Sequence, residues 1–282
     1  MEAGTVVAPG AFSALCGAAI AKAGFTACYV SGAATSVIAG VPDIGLLTLD
    51  HFVRQIEEVA RASGLPVLAD ADTGFGEGEM VRRTVIDYCR AGAAGLHLED
   101  QAFPKRCGHL DGKALVPIEH ACEKIEMAAK ASVDCSDGTF VVCARTDARG
   151  VSGFDDAVTR ATAYVSAGAD MIFPEGLTTE GEFGRFAGAM HALGDRRPYL
   201  LANMTEFGKT PIISTARFGA MGYNLVIYPV TMLRVAMGAV ARGLEILRNN
   251  GSAEMLLPHM QTRAELYDLI GYNPAKPWEF PA

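Results

Sequence analysis

The chain has 282 residues, half of them hydrophobic, and a formal net charge of −8. That acidity excludes the basic face a nucleic-acid binder needs, and no apolar run reaches the ~18 residues required to span a bilayer. Its seven cysteines contain no Cys-x-x-Cys pair and Met1-Glu2-Ala3-Gly4 carries no basic leader, so composition predicts a soluble cytoplasmic protein with no membrane or nucleic-acid partner.

The first apolar, β-branched run is Thr5 to Ala8, followed by helical periodicity from Ser13 to Ala23. The pattern then repeats. Ala27 to Ser31 reads as a strand before a helix from Leu49 to Ser63, Val67 to Asp72 before Glu77 to Ala91, and Gly95 to Asp100 before Ile118 to Ser132. Val141 to Asp147 precedes Asp155 to Ala167, Met171 to Gly176 precedes Thr179 to His191, Leu200 to Met204 precedes Ile213 to Phe218, and Leu225 to Pro229 precedes Thr231 to Asn249. Ala23-Gly24-Phe25, Ala91-Gly92-Ala93 and Ala167-Gly168-Ala169 each close a helix shortly before a strand, where glycine provides a left-handed cap.

Strands alternating with helices imply a parallel sheet, and eight such units predict an α/β (β/α)8 TIM barrel over residues 1–250. The alternative is an open doubly wound sheet. No Gly-x-Gly-x-x-Gly follows the first strand, and the cluster Gly74 to Gly78 lacks the Lys-Ser/Thr of a phosphate loop. Residues 251–282 lie outside the eight units, with Met260 to Ile270 the clearest helix and a Pro-rich tail from Asn273. This extension is expected to pack on a neighbouring subunit or cap the barrel.

In a parallel barrel, function gathers at the carboxyl ends of the strands. Here those ends carry Tyr29 and Ser31, Asp70 and Asp72, His97 and Glu99, Arg145 and Asp147, Glu175 and Asn203. Spacing by two places each pair on one side of its strand. Asp70, Asp72 and Glu99, with Asp43 from the loop after the second strand, are hard oxygen donors suited to Mg²⁺ or Mn²⁺. They could instead only pair with Arg145 and Lys105 in a structural network. Asp147 is as suited to orienting Arg145 as to touching substrate, and Lys22, Arg54, Arg61, Arg82, Arg83 and Arg160 read as solvated helix faces. Lys105-Arg106-Cys107-Gly108-His109 sets a thiol beside two cations and an imidazole, the surroundings that activate a cysteine.

Taken together, Ala69-Asp70-Ala71-Asp72-Thr73-Gly74-Phe75-Gly76, Gly95 to Gln101, Lys105 to His109, Ala144-Arg145-Thr146-Asp147, Phe173-Pro174-Glu175, Leu201 to Gly208 and Met260 to Tyr267 resemble the isocitrate lyase/phosphoenolpyruvate mutase superfamily, the 2-methylisocitrate lyases most of all. The resemblance runs from about Ala8 to Tyr272. It implies a Mg²⁺-dependent carbon–carbon lyase that cleaves a small di- or tricarboxylate to pyruvate and a second acid. It also implies a homotetramer with C-terminal helices exchanged between subunits. By the same resemblance Ser31, Gly32 and Ala33 hold the pyruvoyl carboxylate, and Asp72 binds the metal with Asp43, Asp70 and Glu99 behind it. Tyr29 takes the substrate hydroxyl proton and Cys107 returns a proton to the departing carbanion. Lys105, Arg106, Gly108, His109, Arg145, Glu175, Asn203, Thr205 and Arg234 surround substrate. Three departures stand out: Ala33 replaces a usual glycine, the helix usual before the first strand is lacking, and the turn Val133 to Gly138 is longer. Rival readings are 2,3-dimethylmalate lyase, isocitrate lyase, an oxaloacetate hydrolase, disfavoured by Pro229, and a barrel that binds without turnover.

Overall fold

The computed structural model describes residues 4–278 apart from position 109. Eight parallel strands form the sheet: β1 (Val6–Pro9), β2 (Cys28–Val30), β3 (Val67–Asp70), β4 (Ala93–Glu99), β5 (Val141–Thr146), β6 (Met171–Pro174), β7 (Tyr199–Asn203) and β8 (Leu225–Tyr228). Their order is β1-β8-β7-β6-β5-β4-β3-β2. A bridge between Gly10 and Tyr29 closes the ring, supported by the Ala11 amide donating to the Tyr29 carbonyl at 2.8 Å. A side chain at Gly10 would meet the Pro229 carbonyl oxygen at 2.1 Å, so this closure requires glycine.

Helices α1 (Ala14–Lys22), α2 (Gly32–Ile38), α3 (Leu49–Ser63), α4 (Glu79–Arg90), α5 (Ile118–Ser136), α6 (Phe154–Ser166), α7 (Glu180–His191), α8 (Thr215–Ala220) and α9 (Thr231–Asn250) surround the strands, and α10 (Arg263–Leu269) follows a short 3₁₀ turn. The helical period does the work in α3, where Leu49, Phe52, Ile56 and Val59 form one buried stripe and Gly64 ends the helix at φ 62°. Each such fully buried side chain contributes about 1.5–3 kcal/mol. Inside the ring, Ala8, Leu68, Cys143, Met171, Leu201 and Leu225 fill the lower core. Charged residues replace them above, toward the carboxyl ends.

Four sequence expectations need correction. The strand expected to reach Asp72 stops at Asp70, and Asp72 turns into the left-handed region at φ 46°, so Asp70 and Asp72 do not alternate along a strand. Ser31 is not a strand residue either: it is the N-cap of the unanticipated helix α2, its hydroxyl accepting from the Ala34 amide. Arg160 is not solvated, because it is buried against Asp100 and the Tyr164 hydroxyl. The segment Val133 to Gly138 is mostly the last turn of α5, capped by Asp137 at φ 52°.

Among the described residues no helix is long and apolar enough to cross a membrane. Helix α9 buries only Leu233, while Val235, Met237, Val240, Leu244 and Leu247 are exposed on it. Met255, Leu257, Met260 and Ile270 extend that exposed apolar surface.

Candidate active site

Strand register brings the charged groups together. Asp70 pairs with His97 across β3 and β4, and Glu99 pairs with Arg145 across β4 and β5. Asp70 is then fixed by backbone: one oxygen accepts from the Asp72 amide at 3.0 Å and the other from the Gly32 amide at 3.0 Å. Lys105, though it follows Gln101 in a loop, is buried and forms ion pairs with Asp43 and, at 2.7 Å, Asp72. That second contact has charge proximity without hydrogen-bond alignment, since Asp72 Oδ1 has no hydrogen-bond partner.

The electrostatics follow from this crowding. Burial, with Asp70 and Asp43 nearby, pushes Asp72 up to about 7 although Lys105 opposes it. Burial also holds the Glu99 carboxyl well above the usual carboxylate range, against the pull of Arg145 and Lys105. For Lys105 burial works the other way and is outweighed by Glu99, Asp72, Asp70 and Asp43, so the ammonium keeps its proton. His97 is pressed down to about 4, first by burial, and is neutral near pH 7. Its Nε2 lies 2.7 Å from the Tyr29 hydroxyl, whose own ionisation burial and Asp70 oppose.

Arg145 is the second centre. Asp147 accepts from its Nε at 2.9 Å and its Nη2 at 3.2 Å, while Glu99 and Glu175 lie at 3.3 and 3.8 Å. Burial would raise Asp147, but Arg145 and Lys113 outweigh it and hold the carboxyl at about 2. Asp147 therefore orients the arginine. Asn203 donates to Glu175 at 3.0 Å, completing the group.

The cysteine loop sits directly on this group. A side chain at Gly108 would come within 2.5 Å of both Arg145 Nη2 and Glu175 Cγ, so only glycine allows the loop to approach so closely. Beneath it lies a cavity of about 240 Å³ lined by Tyr29, Ser31, Ala33, Asp43, Asp70, Cys107, Gly108, Arg145, Glu175, Asn203, Thr205 and Arg234. Glu206 holds Arg234 through its carboxylate at 2.8 Å, and the Arg234 guanidinium lies 5.4 Å from the Phe207 ring centre.

Not every predicted residue joins the cavity. Arg106 is exposed and donates to the Asp111 carbonyl, and Lys105 spends its charge on Asp43 and Asp72, so neither cation lines the space beside Cys107. Asp72, Gly32 and Glu99 lie behind the wall, against Lys105, Asp70 and Arg145 respectively. His109 lies outside the described residues. Sequence reading missed the apolar lining of Leu110, Phe173, Phe207 and Val230, and did not single out Lys113. Nothing in the spacing of Lys113 distinguishes it from a solvated loop lysine.

Comparison with known proteins places the chain among relatives. Residues 1–248 match the family described as phosphoenolpyruvate phosphomutase. A probable 2-methylisocitrate lyase of Corynebacterium glutamicum is 50% identical over 265 residues, covering 94% of this chain and 84% of that one. This chain belongs to the phosphoenolpyruvate phosphomutase family. A solved 2,3-dimethylmalate lyase, described as a PEP mutase/isocitrate lyase superfamily member, superposes with a TM-score of 0.87 at 36% identity, covering 95% of this chain and 87% of that one. A phosphonopyruvate hydrolase solved with oxalate and Mg²⁺ superposes at 0.83 with 30% identity, covering 95% and 90%.

The residues present fit the divalent cation that this phosphomutase-family membership implies. Asp72 Oδ1 and both Glu99 carboxylate oxygens are buried without aligned hydrogen-bond donors, with the Lys105 ammonium 2.7 Å from the first and the Arg145 guanidinium 3.3 Å from the second, and a hard cation or its water would satisfy the coordination these charges leave open. Among the described residues no three His, Cys, Asp or Glu side chains converge as a ligand set by themselves. A hard ion that retains several waters needs only one or two carboxylates plus substrate oxygens.

Proposed function

We propose that this chain is a carbon–carbon lyase that cleaves 2-methylisocitrate to pyruvate and succinate, using Mg²⁺, with Mn²⁺ able to serve the same donors. The observation that carries the reading is Cys107 facing one small cavity together with Tyr29, Asp70, Arg145 and Glu175, under a loop whose Gly108 rests on the arginine. Asp72 would hold the cation, with Asp43, Asp70 and Glu99 around it. When bound, the ion supplies positive charge that lowers the cost of ionising the 2-hydroxyl.

The protein groups divide the remaining tasks. Ser31, Gly32 and Ala33, at the start of α2, bracket the pyruvoyl end. Tyr29, its hydroxyl held 2.7 Å from His97 Nε2, is the group placed to take the hydroxyl proton. The electron pair of the ionised 2-oxygen then becomes the C2=O bond of pyruvate as the C2–C3 bond breaks, its electron pair moving to C3 and into the carboxylate attached there. Arg145, held ready by Asp147, meets that negative charge with its guanidinium already oriented. The Cys107 thiol protonates C3, giving succinate. Asn203, Thr205, Arg234 and Glu175 position the second product, and His109 belongs to this set by its place in the motif. Phe173, Pro229 and Val230 give the cavity an apolar side suited to the methyl group.

A panel of 2-methylisocitrate, isocitrate, 2,3-dimethylmalate and oxaloacetate, assayed with and without EDTA, tests the assignment. The expected result is the highest kcat/KM for 2-methylisocitrate and loss of turnover in EDTA. No turnover of any panel member with Mg²⁺ present would reject a lyase.

Assembly is part of the same reading. We infer a homotetramer in which residues 251–282 form an extension packed against a partner subunit, which would cover the apolar face that α9 and the 3₁₀ turn leave exposed. Truncation before Ser252 should convert the tetramer to smaller species by sedimentation and remove activity. An intact, active tetramer after truncation would overturn this role.

A further inference from the structure

The loop that carries Cys107 is fixed in two different ways. Its stem is closed by one antiparallel bridge: Gln101 faces Leu115, the Ala102 amide donates to the Ala114 carbonyl at 2.8 Å, and the Gln101 side chain holds both the Arg106 amide and its carbonyl at 2.8 Å. Those bonds fix the loop as far as Arg106. Beyond it, Cys107 and Gly108 project over the cavity, and among the described residues one inner anchor of that apex is a buried lysine. Lys113, its side chain 2% exposed, donates to the Gly108 carbonyl and, at 2.8 Å, to Asp147 Oδ1. Asp147 is the same carboxylate that orients Arg145.

We propose that Lys113 is the positioning residue of the proton donor: it clamps the Gly108 carbonyl to the Asp147–Arg145 pair and so sets Cys107 over the carbanion carbon. Two points of geometry support this. The ammonium is withdrawn from solvent and meets acceptors on both the loop and the strand end beneath it, which a solvated lysine does not do. The shared carboxylate couples the loop to the group that meets the departing carboxylate, so loop seating and Arg145 orientation rise and fall together. The loop's outer tie, Lys209 to Asp111 at 2.5 Å, lies at the exposed surface and contributes little by comparison.

The inference rests on Cys107 acting as proton donor, and its test separates the two. In Mg²⁺-containing buffer, the alkylation rate of Cys107 by iodoacetamide is followed by peptide mass spectrometry with and without oxalate, for wild type and Lys113→Met. The alkylation reading needs no turnover. In the wild type oxalate should protect Cys107; in Lys113→Met that protection should be lost, and alkylation without oxalate should speed by about tenfold. kcat should fall by ~10²-fold, the scale of an ångström-sized misplacement, while KM changes less than about threefold. Lys113→Gln, which keeps a donor of similar reach, should recover part of both readings and replaces the methionine variant if that one fails to fold. A folded Lys113→Met or Lys113→Gln protein with wild-type alkylation and wild-type oxalate protection overturns the clamp, whatever its activity. If turnover falls equally in both variants while alkylation stays at the wild-type rate, Lys113 acts through Arg145 alone and the proposal likewise fails.

Discussion

Cys107→Ser is expected to bind Mg²⁺ and oxalate as the wild type does and to lose turnover by ~10³-fold, within the range of a general acid's contribution. The reasoning starts from acidity. A thiol ordinarily ionises near 8.5, whereas a serine hydroxyl is a far weaker acid and gives up its proton reluctantly to a carbanion. Sterically the change is small, and Cys107 is only half-buried on a loop whose seating depends on Gly108 and Lys113, so the fold and the cavity should survive. The two cations flanking it in sequence are directed elsewhere, to Asp43, Asp72 and the Asp111 carbonyl. The effect should therefore be confined to proton delivery, with kcat falling far more than KM rises. A Cys107→Ser enzyme with near-normal kcat would remove the general-acid role from this residue.

Much of the fold could be read from the sequence because each barrel unit repeats one local rule, an apolar strand followed by an amphipathic helix. The stripe of Leu49, Phe52, Ile56 and Val59 is visible in the sequence as in the structure. The acids and Arg145 were legible for the same reason, as polar residues ending apolar runs. What was not legible depends on distance in sequence. Lys105 and Arg106 look like neighbours that would charge Cys107, yet their partners come from the loop after β2, the turn after β3 and the far side of their own loop. Lys113 becomes distinctive only once Asp147, 34 residues away, meets it. Helix α2 is seven residues long and starts directly after its N-cap Ser31, too close to the strand and too short for a helical period to show in the sequence. Asp72 leaves its strand through a positive φ that no residue-type pattern announces, since aspartate tolerates that conformation without requiring it.

That departure from the strand governs the second large effect. Turning at φ 46° brings Asp72 Oδ1 into a buried position without a hydrogen-bond partner, beside Asp70 and Asp43 and in ion-pair range of Lys105. Such an oxygen is poor company for further negative charge and a good ligand for a hard cation. Asp72→Ala should abolish activity, and excess Mg²⁺ should not restore it, because Glu99, the other described buried carboxylate whose oxygens lack hydrogen-bond partners, already faces the Arg145 guanidinium at 3.3 Å. Asp43→Ala should be rescued in part by high Mg²⁺, since Asp43 is expected to act through water. The pH dependence has a definite sign. With burial and Asp70 pushing Asp72 up to about 7, protons compete with the cation below that pH, so Mg²⁺ affinity should fall by about tenfold per unit as pH drops and level off above it. Calorimetric Mg²⁺ titrations between about pH 5 and pH 8 read this directly, and Asp72→Asn, which keeps the shape without the titrating group, should flatten the slope. If Asp72→Ala shows wild-type Mg²⁺ dependence, the cation is held elsewhere, and the unpaired Glu99 oxygens become the next place to look.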